Sequence, residues 1–154
     1  MVLSEAQLIE AVARDRAAGR TLAFANGCFD LLHVGHVRYL QASAQEADRL
    51  IVAVNDDRSV AGLKGEGRPI LPAAERAELV AALRCVSYVV VFSDAHVERL
   101  LLRLTPDVHC KGTDYTAETV PERAVVAGYG GRTAIVGDAK RHATRELLKR
   151  IAGS

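Results

Sequence analysis

Five short apolar runs separated by helix-forming stretches predict an α/β fold, a Rossmann-like doubly wound parallel sheet of about five strands. Three observations carry this. The runs at 21–25, 50–54, 88–92, 107–111 and 133–136 are short and mostly apolar, as strands covered on both faces are. The stretches between them, 35–47, 72–83, 95–104, 121–127 and 144–151, read as helices, so strand and helix alternate and imply right-handed parallel crossovers. Polar and glycine-bearing clusters follow the strands, where open α/β sheets bind their ligands.

The elements can be justified in order. Ser4-Glu5-Ala6-Gln7 has the form of a capping box, and the helix it opens should run to Ala18 and stop at Gly19. Leu22-Ala23-Phe24-Ala25 is a buried strand, followed by Asn26-Gly27-Cys28-Phe29-Asp30-Leu31-Leu32-His33-Val34-Gly35-His36 and a helix. Asn55-Asp56-Asp57 follows the second strand, Ser93-Asp94 the third, and Gly112-Thr113-Asp114-Tyr115 the fourth. Gly137-Asp138-Ala139-Lys140-Arg141-His142 follows the last. Residues 57–71, with Gly62, Gly65, Gly67 and Pro69, read as one long loop, of the kind that serves as a lid.

Size and composition narrow the possibilities. The 154 residues, 49% hydrophobic, suit a single domain spanning 1–154. A net charge of +1 gives no bulk attraction to nucleic acid or to a membrane surface. No apolar run reaches the roughly 18 residues that span a bilayer. Met1-Val2-Leu3-Ser4-Glu5 has no basic n-region followed by an apolar core, so it is not expected to be a signal peptide. Cys28, Cys85 and Cys110 are odd in number and far apart, which suggests free thiols in a reducing cytoplasm.

The segment after the first strand holds the chemistry. A glycine-bearing loop hands over to a helix N-terminus, where backbone N–H groups and the positive end of the helix dipole meet. His33 and His36, one helical turn apart, face the same spot, so the junction is suited to a polyphosphate. Metal ligation fits less well, because there is no His-Glu-x-x-His and no third ligand at zinc spacing; no metal site is expected in the protein itself. No Gly-x-Gly-x-x-Gly follows the first strand, which disfavours a dinucleotide oxidoreductase. Phosphoryl chemistry needs no thiol nucleophile, so Cys28 is not expected to be one.

The string Gly-x-Phe-Asp-x-x-His-x-Gly-His resembles the signature of the nucleotidyltransferase superfamily, the cytidylyltransferase-like enzymes. Lys64-Gly65-Glu66-Gly67-Arg68-Pro69-Ile70 with Glu75-Arg76, and Cys110-Lys111-Gly112-Thr113-Asp114-Tyr115, resemble the heptose 1-phosphate adenylyltransferase group. That group's Lys-Gly-Gly-Asp-Tyr carries Thr113 here for its second glycine. One departure is Ala143-Thr144-Arg145, where the group has Ser-Thr-Thr or Ser-Thr-Ser.

The resemblance implies transfer of AMP from ATP, with Mg²⁺, to a sugar 1-phosphate. Manno-heptose 1-phosphate is the sugar implied, supplied by a separate sugar kinase upstream, and a homodimer is suggested. Glycerol-3-phosphate cytidylyltransferase is the alternative, phosphopantetheine adenylyltransferase ranks lower, and a non-catalytic nucleotide-binding protein is the rival from another class.

The roles implied are these. His33, His36 and Lys64 act on the reacting phosphates, with a solvated loop lysine as the competing reading of Lys64. Asn26, Gly27, Cys28, Phe29 and Gly35 cradle ATP, Gly27 by allowing close approach. Asp30 either contacts Mg²⁺ or holds a turn. Lys111 helps to bind ATP and Asp114 holds the ribose or the base edge, although an Asx-turn would also account for Asp114. Arg141 and Thr144 meet the outer phosphates, or Thr144 merely caps its helix. Asn55, Arg68 and Arg76 take the sugar phosphate, with a helix-surface position as the competing reading of Arg76.

Overall fold

The computed structural model describes residues 1–94, 96–139 and 143–153. Ser4 forms the expected capping box with Gln7, and α1 runs Glu5–Ala17 before Gly19 turns the chain at φ +75°. The strands are β1 (Leu22–Gly27), β2 (Arg49–Asn55), β3 (Tyr88–Phe92), β4 (Val108–Lys111) and β5 (Arg132–Ile135). The helices after α1 are α2 (Val34–Ala44), α3 (Asp57–Lys64), α4 (Ala73–Ala81), α5 (Glu98–Leu104), α6 (Arg123–Gly128) and α7 (Thr144–Ala152).

All strand pairs are parallel, in the order β3-β2-β1-β4-β5. The chain winds outward from β1 through β2 to β3, then crosses back to β4 and β5. The order therefore reverses between β1 and β4, and their carboxyl ends open a switch-point crevice.

Both faces are covered, as the continuous apolar runs require. Leu22, Phe24, Ile51 and Ala53 pack with Leu8 and Val12 of α1, Leu100, Leu101 and Leu104 of α5, and Val126 of α6. The alternate residues Ala23, Ala25, Leu50, Val52 and Val54 pack with Leu40 of α2 and with Ala77 and Val80 of α4. The period-2 alternation of a strand thus splits one sequence between two cores.

The expected long loop at 57–71 is a correction. Its first half is helix α3, capped by Asp56, whose carboxylate accepts from Ser59 N at 2.7 Å and from Ser59 Oγ at 2.6 Å. Lys64 is the last residue of this helix rather than a loop residue.

Candidate active site

A cleft of about 1090 Å³ lies over the carboxyl ends of the strands. It is lined by every site residue expected from the sequence except Arg76 and Arg141. Arg141 lies outside the described residues.

The β1–α2 junction forms the floor. His33 is the N-cap of α2 and His36 its third residue, and they cap each other. Gly35 N donates to His33 Nδ1 at 3.1 Å, and His33 N donates to His36 Nδ1 at 3.3 Å. The two rings stack, with centroids 3.8 Å apart and planes at 23°. An Nδ1 that accepts a backbone N–H carries no proton of its own. In the neutral rings the proton therefore sits on Nε2, and both rings are held as Nε2–H donors. His36 also meets the Phe29 ring edge-on, centroids 5.3 Å apart.

The loop leading into these histidines is strained. Phe29 and Leu31 have φ of +48° and +68°, in the left-handed region, which costs a non-glycine residue on the order of 1 kcal/mol. Three ties hold it. Arg76 Nη1 donates to Cys28 O at 2.6 Å, and Thr144 Oγ1 donates to Asp30 O at 2.9 Å. The Asp30 carboxylate accepts from Arg68 Nε at 2.7 Å and from the backbone N–H groups of Ile70 and Leu71 at 2.9–3.1 Å. Burial alone would raise the Asp30 pKa, but these donors outweigh it and hold the group below its usual range. Asp30 is thus occupied as a turn clamp, which leaves little of its carboxylate for a metal ion.

Arg76 corrects the expectation that it binds the sugar phosphate. It is fully buried. Besides Cys28 O, its guanidinium donates to Asn55 O at 2.8 Å, Leu71 O at 2.9 Å and Asp57 Oδ1 at 2.8 Å. It braces the ends of β1 and β2 from below. Arg68 reaches the cleft, but its Nε is committed to Asp30.

Gly27 serves a neighbour inside the protein: a Cβ there would meet the Phe29 ring at 3.1 Å. Burial pushes the Cys28 thiol up despite the nearby charges of Lys64, Arg76 and Arg68, so Cys28 stays a thiol at neutral pH.

On the other wall, Lys111 Nζ lies 4.8 Å from the centre of the Tyr115 ring, and Asp114 sits between them in sequence. Thr113 Oγ1 donates to Asp138 O at 2.8 Å, and Arg38 pairs with Asp138 at 2.9 Å, tying α2, β4 and β5 at the rim. Tyr39 OH donates to Cys110 O at 2.7 Å. Gly137 has φ +92°, and a Cβ there would come within 3.3 Å of Tyr39 Cα, so glycine allows β5 to pass α2 closely. Sequence reading missed Arg38 and Tyr39, since no motif marks the rim, and named Asp138 only within the cluster after the last strand. Ala143 caps α7 without any side-chain bond, and the Thr144 hydroxyl is turned to Asp30 instead.

The cleft is set for anions. Arg68 and Arg38 are paired with Asp30 and Asp138. Among the described residues, Lys64, Lys111 and Arg145 line the cleft with no carboxylate within 4.0 Å. No cluster of three or more His, Cys, Asp or Glu is placed to hold a metal among the described residues.

Paired imidazoles at a helix N-terminus, set over the switch point of a parallel sheet, define the class as the nucleotidyltransferases. Residues 24–150 match the cytidylyltransferase-like family, and the chain belongs to it.

Similar relatives include the bifunctional protein HldE of Syntrophotalea carbinolica, 44% identical over 137 residues (89% of this chain, 28% of that protein). The HldE proteins of Alkalilimnicola ehrlichii and Vibrio atlanticus are 45% and 44% identical, over 97% and 99% of this chain and 31% and 32% of theirs. The chain therefore spans less than a third of the length of these curated relatives. A crystal structure of a lipopolysaccharide core biosynthesis protein from Thermoplasma volcanium has the same fold, with a TM-score of 0.69 at 22% identity over 79% of this chain and all of that one.

Proposed function

We propose that the cleft transfers AMP from ATP to a sugar 1-phosphate, giving an ADP-sugar and pyrophosphate, with manno-heptose 1-phosphate as the sugar. The observation that carries this is the stacked His33–His36 pair, with both Nδ1 atoms tied to backbone N–H groups. The resemblance of Lys64–Ile70 and Cys110–Tyr115 to the heptose 1-phosphate adenylyltransferase group, with the similarity to the HldE proteins, supports the substrate.

The second pKa of a phosphate monoester is about 6, so the nucleophile is already ionised near neutral pH. A phosphate oxygen of the sugar attacks the α-phosphorus, and the bond to the α–β bridging oxygen breaks as pyrophosphate leaves. No general base is needed. The protein must bring two anions together and stabilise charge on the departing group.

His33 and His36 donate Nε2–H to the α- and β-phosphates. Lys64 from the end of α3 and Lys111 from β4 offset the charge, and Asn26 and Asn55 line the floor beneath. Thr144 acts on the phosphates indirectly, by holding the loop at Asp30. Mg²⁺ enters with ATP as part of the substrate and takes phosphate oxygens and water as its main ligands. A sugar kinase supplies the sugar 1-phosphate. The three free thiols suit the cytoplasm.

The test is pyrophosphate release with Mg²⁺, pairing ATP or CTP with heptose 1-phosphate or glycerol 3-phosphate. Release with ATP and the heptose phosphate alone is expected. Release with CTP and glycerol phosphate would keep the chemistry and overturn the substrates. No release in any pairing would overturn the reading.

A further inference from the structure

His109 belongs to no recognised motif and lines no wall of the cleft, yet it is one of the largest fully buried side chains. It stands on β4 beside Phe24 of β1, ring centroids 5.9 Å apart and tilted by 58°. Burial, with the Lys111 charge adding to it, pushes its pKa down to about 3, so the ring is neutral at physiological pH. Nδ1 is buried without a hydrogen-bond partner among the described residues. A leucine would suit such surroundings better, because a buried polar atom without a partner is destabilising. The polar contact this imidazole makes is from Nε2 to Asn26 Oδ1, at 3.0 Å.

Asn26 is near the carboxyl end of the central strand and lines the cleft. A carboxamide can turn over and present either its oxygen or its NH₂ to a ligand. Beside a triphosphate the first is repulsive and the second is a donor. We propose that His109 is a positioning residue for the nucleotide phosphates: by donating Nε2–H to Asn26 Oδ1, it fixes the carboxamide with Nδ2–H₂ toward the cleft. The choice of tautomer and the choice of amide orientation are one choice, since an Nδ1–H ring would accept at Nε2 and turn the oxygen of Asn26 outward. This rests on the triphosphate reading above, and it explains why an imidazole is kept in an apolar layer.

The experiment compares the unsubstituted protein with His109→Leu and His109→Gln, the glutamine placing an N–H near the position of Nε2. Thermal midpoint, MgATP dissociation constant by calorimetry and ¹⁵N NMR of the imidazole are measured. The ring is expected as the Nε2–H tautomer. His109→Leu should hold or raise the midpoint while weakening MgATP about tenfold, as loss of one donor to a charged group does. His109→Gln should restore most of the affinity.

An Nδ1–H tautomer would overturn the proposal. So would unchanged affinity in His109→Leu, or a loss that follows a fall in midpoint and is not rescued by glutamine. If the unsubstituted protein itself fails to bind MgATP, the triphosphate reading falls, and this proposal with it. Binding that is indifferent to His109 sinks the proposal alone.

Discussion

The helices α2 and α7 both start at the edge of the same cleft, each after a strand of the same sheet, and they are built in opposite ways. At α2, His33 and His36 cap each other, so the residues proposed to meet the phosphates also terminate their own helix. At α7, Ala143 offers no side-chain cap, the Thr144 hydroxyl reaches across to Asp30 O, and no residue of the helix is fully buried. The first start is organised from within and the second leans on it. A cleft of this kind can hold the reacting phosphates on the rigid side and admit variation on the other. This suits the position of the departure from the group's pattern at Ala143.

Four substitutions probe that difference. Arg76→Leu should break the rigid side from below. It strips the donor from the carbonyls of Cys28 and Asn55, each worth about 1–3 kcal/mol, so a loss of at least about 2 kcal/mol is expected in denaturant unfolding. A normal unfolding midpoint with a raised KM for the sugar phosphate would instead make Arg76 a ligand.

His33→Asn separates the two duties of an N-cap histidine. Asparagine caps well, so stability should stay within about 1 kcal/mol. Loss of the Nε2–H donor should lower kcat by ~10²–10³, read by pyrophosphate release.

Asp30→Asn tests the clamp through pH. The folded Asp30 pKa lies below its ordinary 3.8, so the carboxylate contributes stability above that value and loses it as pH falls through the folded pKa. The variant should be less stable at pH 7 and show a flatter acid limb in urea titrations. An acid limb as steep as that of the unsubstituted protein would remove Asp30 from the account.

Ala143→Ser gives α7 the cap it lacks and should raise stability by about 0.5–1 kcal/mol. A much larger gain would mean that the two helix starts are more alike than the structure shows.

The sheet and the floor of the cleft were legible in the sequence because their causes are local. Strand periodicity separates Phe24 from Ala25 onto two faces, and the His33–His36 spacing is fixed by the pitch of a helix. Helix α3 was missed because three glycines between 57 and 71 outweighed Asp56, although that residue, three before Ser59, is an N-cap signal. Arg76 and Arg68 look alike on paper, both near the glycine-bearing segment 62–67. Only the packing of Arg76 against the carboxyl ends of the parallel neighbours β1 and β2 makes it a buried brace, while Arg68 ends in a carboxylate clamp. His109 gave no signal, since its partner lies 83 residues away on a neighbouring strand.

The place of β1 in the sheet has a further consequence. It is the middle strand of five and carries Asn26 and Gly27 directly into the loop before His33. Its amides should be among the last to exchange with deuterium, opening only as the whole molecule opens. Those of β5 and α7, at the sheet edge and the lightly packed end, should exchange early. Warming would then erode the nucleotide cradle from its outer wall inward, with the histidine pair the last part of it to be lost.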